Sequence, residues 1–292
     1  MDEKEWLAQR FEEQRPRLRA VAYRMLGSLA EADDAVQDAW LRLSQSHADQ
    51  IDNLGGWLTT VVARACLNRL RSRRVRREDS FGVRLPDPVV TPAGDLEPEQ
   101  EALLADSVGL ALLVVLDSLT PAERLAFVLH DMFELPFDEI AGLLGRTPTA
   151  ARQLASRARR RVKGAEIPVR DPDLVRQRQV VDAFFAAARS GDFDALVQVL
   201  DPDVVLRGDF GPGRRLAVVR GVAAVAKLAR APHGAQLYPA LVNGAAGAVI
   251  TINGQPSSVL AFTVVDAKIV EIYGIADPDR VRRIAAAVLT ET

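Results

Sequence analysis

The feature that most constrains this chain is the run Pro136-Phe137-Asp138-Glu139-Ile140-Ala141-Gly142-Leu143-Leu144-Gly145-Arg146-Thr147-Pro148-Thr149-Ala150-Ala151-Arg152-Gln153. A short apolar-periodic segment from Asp138 to Leu144 stops at Gly145, and Thr147-Pro148 starts a second helix about four residues later. Helix, tight turn, helix obliges the second helix to bury one face against the first, and Ala151, Leu154, Ala155, Ala158 and Val162 supply that face. The opposite face is polar and basic: Thr149, Arg152, Gln153 and Ser156 lie near its start, where base edges are read. Arg157, Arg159, Arg160 and Arg161 follow, placed for phosphates. A solvated basic helix of a bundle has the same composition.

Nucleic-acid binding needs local positive charge, whereas the whole chain carries -2. The charge is segregated. Residues 69–77 contain Arg69, Arg71, Arg73, Arg74, Arg76 and Arg77 with no acid, and residues 146–163 are likewise basic without an acid. Between them, Glu78, Asp79, Asp87, Asp95, Glu97, Glu99, Glu101 and Asp106 face a single base, Arg84. At 292 residues and 48% apolar the chain has room for two or three cores. One cysteine, Cys66, excludes a disulfide framework and a cysteine zinc cluster, and three histidines leave few ligands for a histidine-based metal site; no metal site and no cofactor are expected. The start of the chain lacks a secretory apolar core, and no apolar run approaches the roughly 20 residues that span a bilayer. A cytoplasmic protein without a membrane partner is expected.

The chain reads as a multidomain protein: helical residues 1–77, a linker at 78–101, a helical module at 102–166, a linker at 167–173 and an α+β domain at 174–292. In the first module Leu18, Val21, Ala22, Met25 and Leu26 form one helix face that Gly27 closes. Ser28 to Glu31 has capping-box spacing, and Val36, Trp40 and Leu43 recur on one side of the next helix, with Glu31, Asp34 and Asp38 on another. Gly55-Gly56 marks a turn. Then Trp57, Leu58, Val61, Val62, Ala65 and Leu70 point inward while Thr60, Arg64, Asn68 and Arg71 share the outward face, a basic surface suited to unpaired bases and their backbone. Pro86, Pro88, Pro92 and Pro98 among acids make the first linker semi-extended. Helices resume at Glu101 to Leu116 and after Thr120-Pro121-Ala122-Glu123, a capping box with proline at the first helical position. In the last part, helices at 175–190 and 195–200 precede strands at 204–207, 236–243, 247–253, 258–265 and 269–274, with hairpin turns at Asn253-Gly254 and Asp266-Ala267 and a closing helix from Asp277-Pro278 through Leu289.

Two of these modules carry a family resemblance. Asp33-Asp34-Ala35-Val36-Gln37-Asp38-Ala39-Trp40-Leu41-Arg42-Leu43, then Trp57-Leu58 leading into Arg64 to Arg77, resembles region 2 of bacterial sigma-70-type factors, and Leu119 to Val162 resembles region 4. With only a linker where region 3 would be, the chain is similar to the extracytoplasmic-function (ECF) class. The resemblance implies a three-helix region 2, a helix-turn-helix region 4, and two partners, core RNA polymerase and promoter DNA. It implies that Asp34, Gln37 and Asp38 grip the polymerase and that Trp57, Arg64, Asn68, Arg71, Arg73 and Arg74 hold the melted -10 element. It further implies that Thr149, Arg152, Gln153, Ser156, Arg157 and Arg160 read the -35 element as duplex.

The last part resembles the SnoaL-like group of the nuclear-transport-factor-2-like fold, a curved sheet wrapped by helices into a cone, through Ala183-Phe184-Phe185, Gly191-Asp192-Phe193 and Leu196 to Leu206. Such tails mark a SigJ-like subgroup of ECF factors, in which the tail acts as an intramolecular regulator. Two signatures stand in altered form, Asp209-Phe210-Gly211-Pro212-Gly213-Arg214 and Asp277-Pro278-Asp279-Arg280-Val281. Asp209, Arg214, Asp277, Pro278, Asp279 and Arg280 are therefore the expected regulatory contacts. A third, Arg84-Leu85-Pro86-Asp87-Pro88, lacks the tryptophan that usually begins this linker motif. The fold leaves room for an unknown small ligand in the cone. Two other function classes stay open: a ligand-responsive helix-turn-helix regulator, and a cyclase or isomerase using Asp209, His233, Tyr238 and Tyr273. No catalytic residue is assigned, because nothing in the sequence makes those four converge.

Overall fold

The computed structural model describes residues 3–46, 51–78, 84–94, 109–230 and 232–289. The chain forms two compact units, residues 1–79 with 111–167, and residues 80–110 with 168–292. Much of the acidic stretch, including Asp95, Glu97, Glu99, Glu101 and Asp106, lies outside the described residues.

The first unit begins with α1 (Glu3–Leu26), α2 (Leu29–Ser44) and α3 (Leu54–Glu78). Their apolar stripes meet in a core of Leu18, Val21, Met25, Val36, Leu43, Leu58, Val62 and Leu67. Two local expectations give way to tertiary contacts. Ser28 is the N-cap of α2, but its side chain makes no capping bond, and Glu31 instead pairs with Arg73 of α3. Gly55-Gly56 is not a turn: both glycines lie in the first turn of α3, whose free Gly56 N–H donates to the Asn53 side chain at 3.0 Å.

The same unit continues with α4 (Leu110–Asp117), α5 (Pro121–Phe127), a π-helical turn (Val128–Met132), α6 (Phe137–Leu144) and α7 (Pro148–Gly164). The capping box of α5 is complete: the Thr120 hydroxyl accepts from Glu123 N–H, and the Glu123 carboxylate accepts from Thr120 N–H. Gly145 ends α6 in the left-handed conformation (φ +63), and the Thr147 hydroxyl accepts from Ala150 N–H at 3.3 Å to start α7. Ala151, Leu154, Ala155 and Ala158 of α7 are buried against α5 and α6, whereas Val162 is only half-buried.

The second unit is α+β. Its strands are β1 (Val90–Pro92), β2 (Leu200–Asp209), β3 (Ala217–Arg220), β4 (Ala235–Val242), β5 (Ala245–Ile252), β6 (Gln255–Val265) and β7 (Lys268–Ile275). They form one sheet in the order β1-β4-β5-β6-β7-β2-β3, antiparallel except for β2 beside β7. Three hairpins turn on paired positive-φ residues: Asn243-Gly244, Asn253-Gly254 and Asp266-Ala267. Against one face pack α8 (Leu174–Ser190) and α9 (Phe193–Val199), burying Val181, Phe184, Phe185 and Leu196 on Phe262, Val264, Ile269 and Ile272. Phe184, Phe185 and Phe262 meet edge to face at 5.4 to 5.6 Å. After α10 (Val222–Leu228) and the strands, the closing helix is broken at Ala285 into α11 (Pro278–Ile284), which packs on β6, and α12 (Ala286–Leu289), which packs on β1 and β4.

Candidate functional site

Four groups of side chains carry the chemistry. On α3, Arg64, Asn68, Arg71 and Arg74 are exposed, with Thr60 and Trp57 half-buried along the same helix. Their spacing of three and four residues aligns hydrogen-bond donors on one side, as a surface for nucleic-acid backbone and bases requires. Arg73 does not join them: its guanidinium donates to the Leu26 carbonyl at 2.8 Å and pairs with Glu31, closing the corner between α1 and α2.

On α2, Asp34, Gln37 and Asp38 are exposed on consecutive turns. Arg69 of α3 reaches them, at 3.0 Å from Asp38 and 3.7 Å from Asp34, and donates to the Glu31 carbonyl at 2.7 Å. Arg69 therefore fixes the acidic side chains, a role that helical periodicity alone cannot reveal because its partners belong to another helix. Beside them a cleft of about 350 Å³ between α1 and α2 is lined by Phe11, Val36, Gln37 and Trp40. Glu12 and Arg15 line the cleft as well, so its wall is mixed, and together with the acidic rim it suits a protein partner that offers both apolar and charged groups.

On α7, Thr149, Arg152, Gln153, Ser156, Arg157 and Arg160 are all exposed. The arginines differ in freedom. Arg161 and Arg157 reach Glu123 at 3.1 and 3.9 Å, and Arg159 binds Asp131 at 2.5 Å, while no acid among the described residues lies within ion-pair distance of Arg152 or Arg160. Burial alone would raise the pKa of the Glu123 carboxyl, but hydrogen bonds from Thr120 and the charges of Arg161 and Arg157 outweigh it and hold the carboxyl below its usual range.

The fourth group lies in the sheet domain. Residues 84–92, part of the proline-rich linker, form a strap on it. Asp209 accepts from the Leu85 N–H at 2.9 Å, and Arg280 donates to the Leu85 carbonyl at 2.7 Å, to Asp87 at 2.7 Å and to Asp209 at 2.6 Å. Asn243 exchanges two bonds with the Val89 backbone, at 2.7 and 2.8 Å, and Val90 to Pro92 pair with Val242 to Ala240 as an edge strand. Asp277 caps α11 by accepting from Asp279 and Arg280 N–H, and meets Arg84 at 3.4 Å. A side chain at Gly211 would strike this site, since its Cβ would fall 2.5 Å from the Asp277 carboxylate at φ +95. Arg280 is 6% exposed; burial opposes its charge, yet Asp87 and Asp209 together raise its pKa above the ordinary arginine value.

Of the six residues expected as regulatory contacts, Asp209, Asp277 and Arg280 converge on the strap. Pro278 opens α11, Asp279 pairs with Arg282 in solvent, and the Arg214 side chain is exposed in a loop. The strap docks without the aromatic usual in the family, using main-chain groups and ion pairs. Asp87 and Asn243 complete the strap's anchorage, although the sequence marks the first only as one acid of the linker and the second only as the end of a strand.

The four residues considered for acid-base chemistry do not converge. The Asp209 carboxylate is filled by Arg280 and the Leu85 and Gly211 N–H groups, Tyr273 donates to Glu271 at 2.7 Å, Tyr238 donates to Gln236, and His233 is exposed before β4. Among the described residues no cluster of His, Cys, Asp or Glu suits a metal ion, and no helix is long and apolar enough to cross a membrane.

Residues 10–76 match the family described as Sigma-70 region 2, and residues 109–162 match Sigma-70, region 4. The chain is 40% identical over 288 residues to the ECF RNA polymerase sigma factor SigJ of Mycobacterium tuberculosis, covering 92% of this chain and 91% of that protein. The crystal structure of the SigJ protein from that organism superposes with a TM-score of 0.70 at 36% identity, covering 94% of this chain and 97% of the other. The ECF RNA polymerase sigma factor SigG of Mycobacterium tuberculosis is 28% identical over 217 residues, covering 65% of this chain and 58% of that protein.

Proposed function

The chain belongs to the extracytoplasmic-function sigma factors, and from that premise we propose that its sheet domain regulates promoter output in cis through the strap. Sigma factors bind core RNA polymerase and promoter DNA and direct transcription initiation; they are not enzymes. In this chain the α2 residues Asp34, Gln37 and Asp38, beside the cleft between α1 and α2, dock the polymerase. The α3 face of Arg64, Asn68, Arg71 and Arg74 holds the melted -10 element. Melting a duplex costs free energy, so a surface that takes up unstacked bases shifts the equilibrium toward the open form. The α7 face from Thr149 to Arg160 reads the -35 element as duplex.

One observation carries the regulatory reading: residues 80–110, covalently between the two sigma modules, belong to the sheet unit, and Arg280 binds that segment to Asp209. The path from one DNA-binding module to the other therefore runs through the domain that is not itself a DNA-binding module. Two experiments test the proposal. Wild-type protein is expected to capture core polymerase and Asp34→Arg to lose most of that capture while keeping its helical circular dichroism; equal capture by both contradicts the docking assignment. Deletion from Asp171 onward is expected to change promoter output with core polymerase by several fold, and unchanged output contradicts regulation in cis.

A further inference from the structure

Beside the polar face of α7 stands a half-buried aromatic pair. The π-helical turn Val128–Met132 and the left-handed Glu134 (φ +60) bring His130 onto Phe137 at the start of α6, ring centroids 3.8 Å apart. His130 Nδ1 lies 3.0 Å from the Leu135 carbonyl, which orients the ring. The half-buried Phe137 ring carries the Arg152 guanidinium 5.4 Å from its centroid. Asp138 and Glu139 are exposed nearby on α6, yet no ion pair joins either to Arg152 among the described residues.

We propose that Phe137 is a positioning residue for sequence recognition: it holds the Arg152 guanidinium ready for a bidentate contact with one base pair. The proposal rests on the reading of α7 as the helix that meets duplex DNA. An arginine that reads a base edge must give up rotamer freedom and present its planar fork in one orientation, and stacking on a fixed ring supplies both in advance. Arg157, Arg159 and Arg161 reach Glu123 or Asp131, which leaves Arg152 and Arg160 without an acid partner among the described residues, and of these two it is Arg152 that lies over an aromatic ring. Phe137 thereby acts on which sequence is bound, while the remaining cations act on how tightly any duplex is bound.

The test uses the full chain assembled with core polymerase and a set of promoter duplexes in which each base pair of the upstream element is changed in turn. Phe137→Leu is expected to lower the preference at one base pair by about 2- to 5-fold, the range of an exposed cation–π contact, with binding to the other duplexes and its salt dependence unchanged. Phe137→Trp is expected to keep the preference. Arg152→Ala is expected to remove it at that same base pair, and adding Phe137→Leu to that background to change nothing more. A uniform loss across all duplexes in Phe137→Leu, or a change at a base pair that Arg152→Ala leaves untouched, overturns the positioning role. If Arg152→Ala alters no base preference, the reading of α7 as the base-reading helix fails, and the proposal with it.

Discussion

Arg280 shows how a buried charge can fix a chain segment. Its guanidinium bridges Asp209, Asp87 and the Leu85 carbonyl, and no apolar residue could replace all three contacts. Arg280→Met would leave Asp209 buried with its countercharge removed, a loss expected to cost about 3–5 kcal/mol. Amide exchange at Leu85 and Val89, measured in the full chain, is expected to quicken by orders of magnitude while exchange in the α8 core stays slow. Arg280→Lys keeps the charge without the fork and is expected to fall between. Cys66 gives a second prediction at this scale. It is buried in the helical unit, and desolvation pushes its thiol pKa up to about 12, against smaller opposing effects of Arg69 and Arg124. At pH 8 it holds almost no thiolate, so an alkylating reagent is expected to leave the native protein unmodified and to react once denaturant unfolds it.

At the scale of elements, α5 ties the start of its own helix to α7 through Glu123, which serves both the capping box and Arg161. Because its pKa is lowered in the folded state, this carboxylate stabilises the fold above the unfolded value of about 4.3, and the contribution is lost as pH falls through the lower folded value. Urea midpoints of wild type and Glu123→Gln are expected to differ by a constant amount from pH 7 to 5 and to converge below about pH 4. Elements whose signals are local were legible in the sequence: α6 and α7 from Gly145 and Thr147-Pro148, and β4 to β7 from β-branched runs broken by Asn-Gly and Asp-Ala turns. Elements made by a distant partner were not. β1 is three residues beside prolines, and only the free edge of β4 makes it a strand; β3 is four residues that β2 orders. Ser28 to Glu31 had the spacing of a capping box, but Arg73 lay closer to hand for Glu31 once α3 had packed. The candidate site divides in the same way. Periodicity exposed the faces of α3 and α7, whereas the withdrawal of Arg73, the bridging by Arg69 and the stacking of Arg152 on Phe137 depend on packing between helices.

For the whole molecule, a net charge of -2 no longer argues against a DNA partner. Runs of cations without intervening acids lie on α3 and α7, where the local charge is positive although the chain's total is not, and part of that charge is neutralised within the fold by Glu31, Asp34, Asp38, Glu123 and Asp131. Such a chain should bind free duplex weakly and with steep salt dependence, and bind promoter tightly only alongside core polymerase; a duplex-binding titration with and without core is expected to show that difference. If the sheet domain acts on transcription through the strap, releasing the strap must change promoter output. The most direct measurement compares promoter-specific transcripts made by core polymerase with the full wild-type chain and with full-length Arg280→Met, after both have been shown to capture core equally. A several-fold difference in transcript is expected when the strap is released; equal output from the two proteins, with amide exchange showing the strap free in the variant, would rule out regulation through the strap.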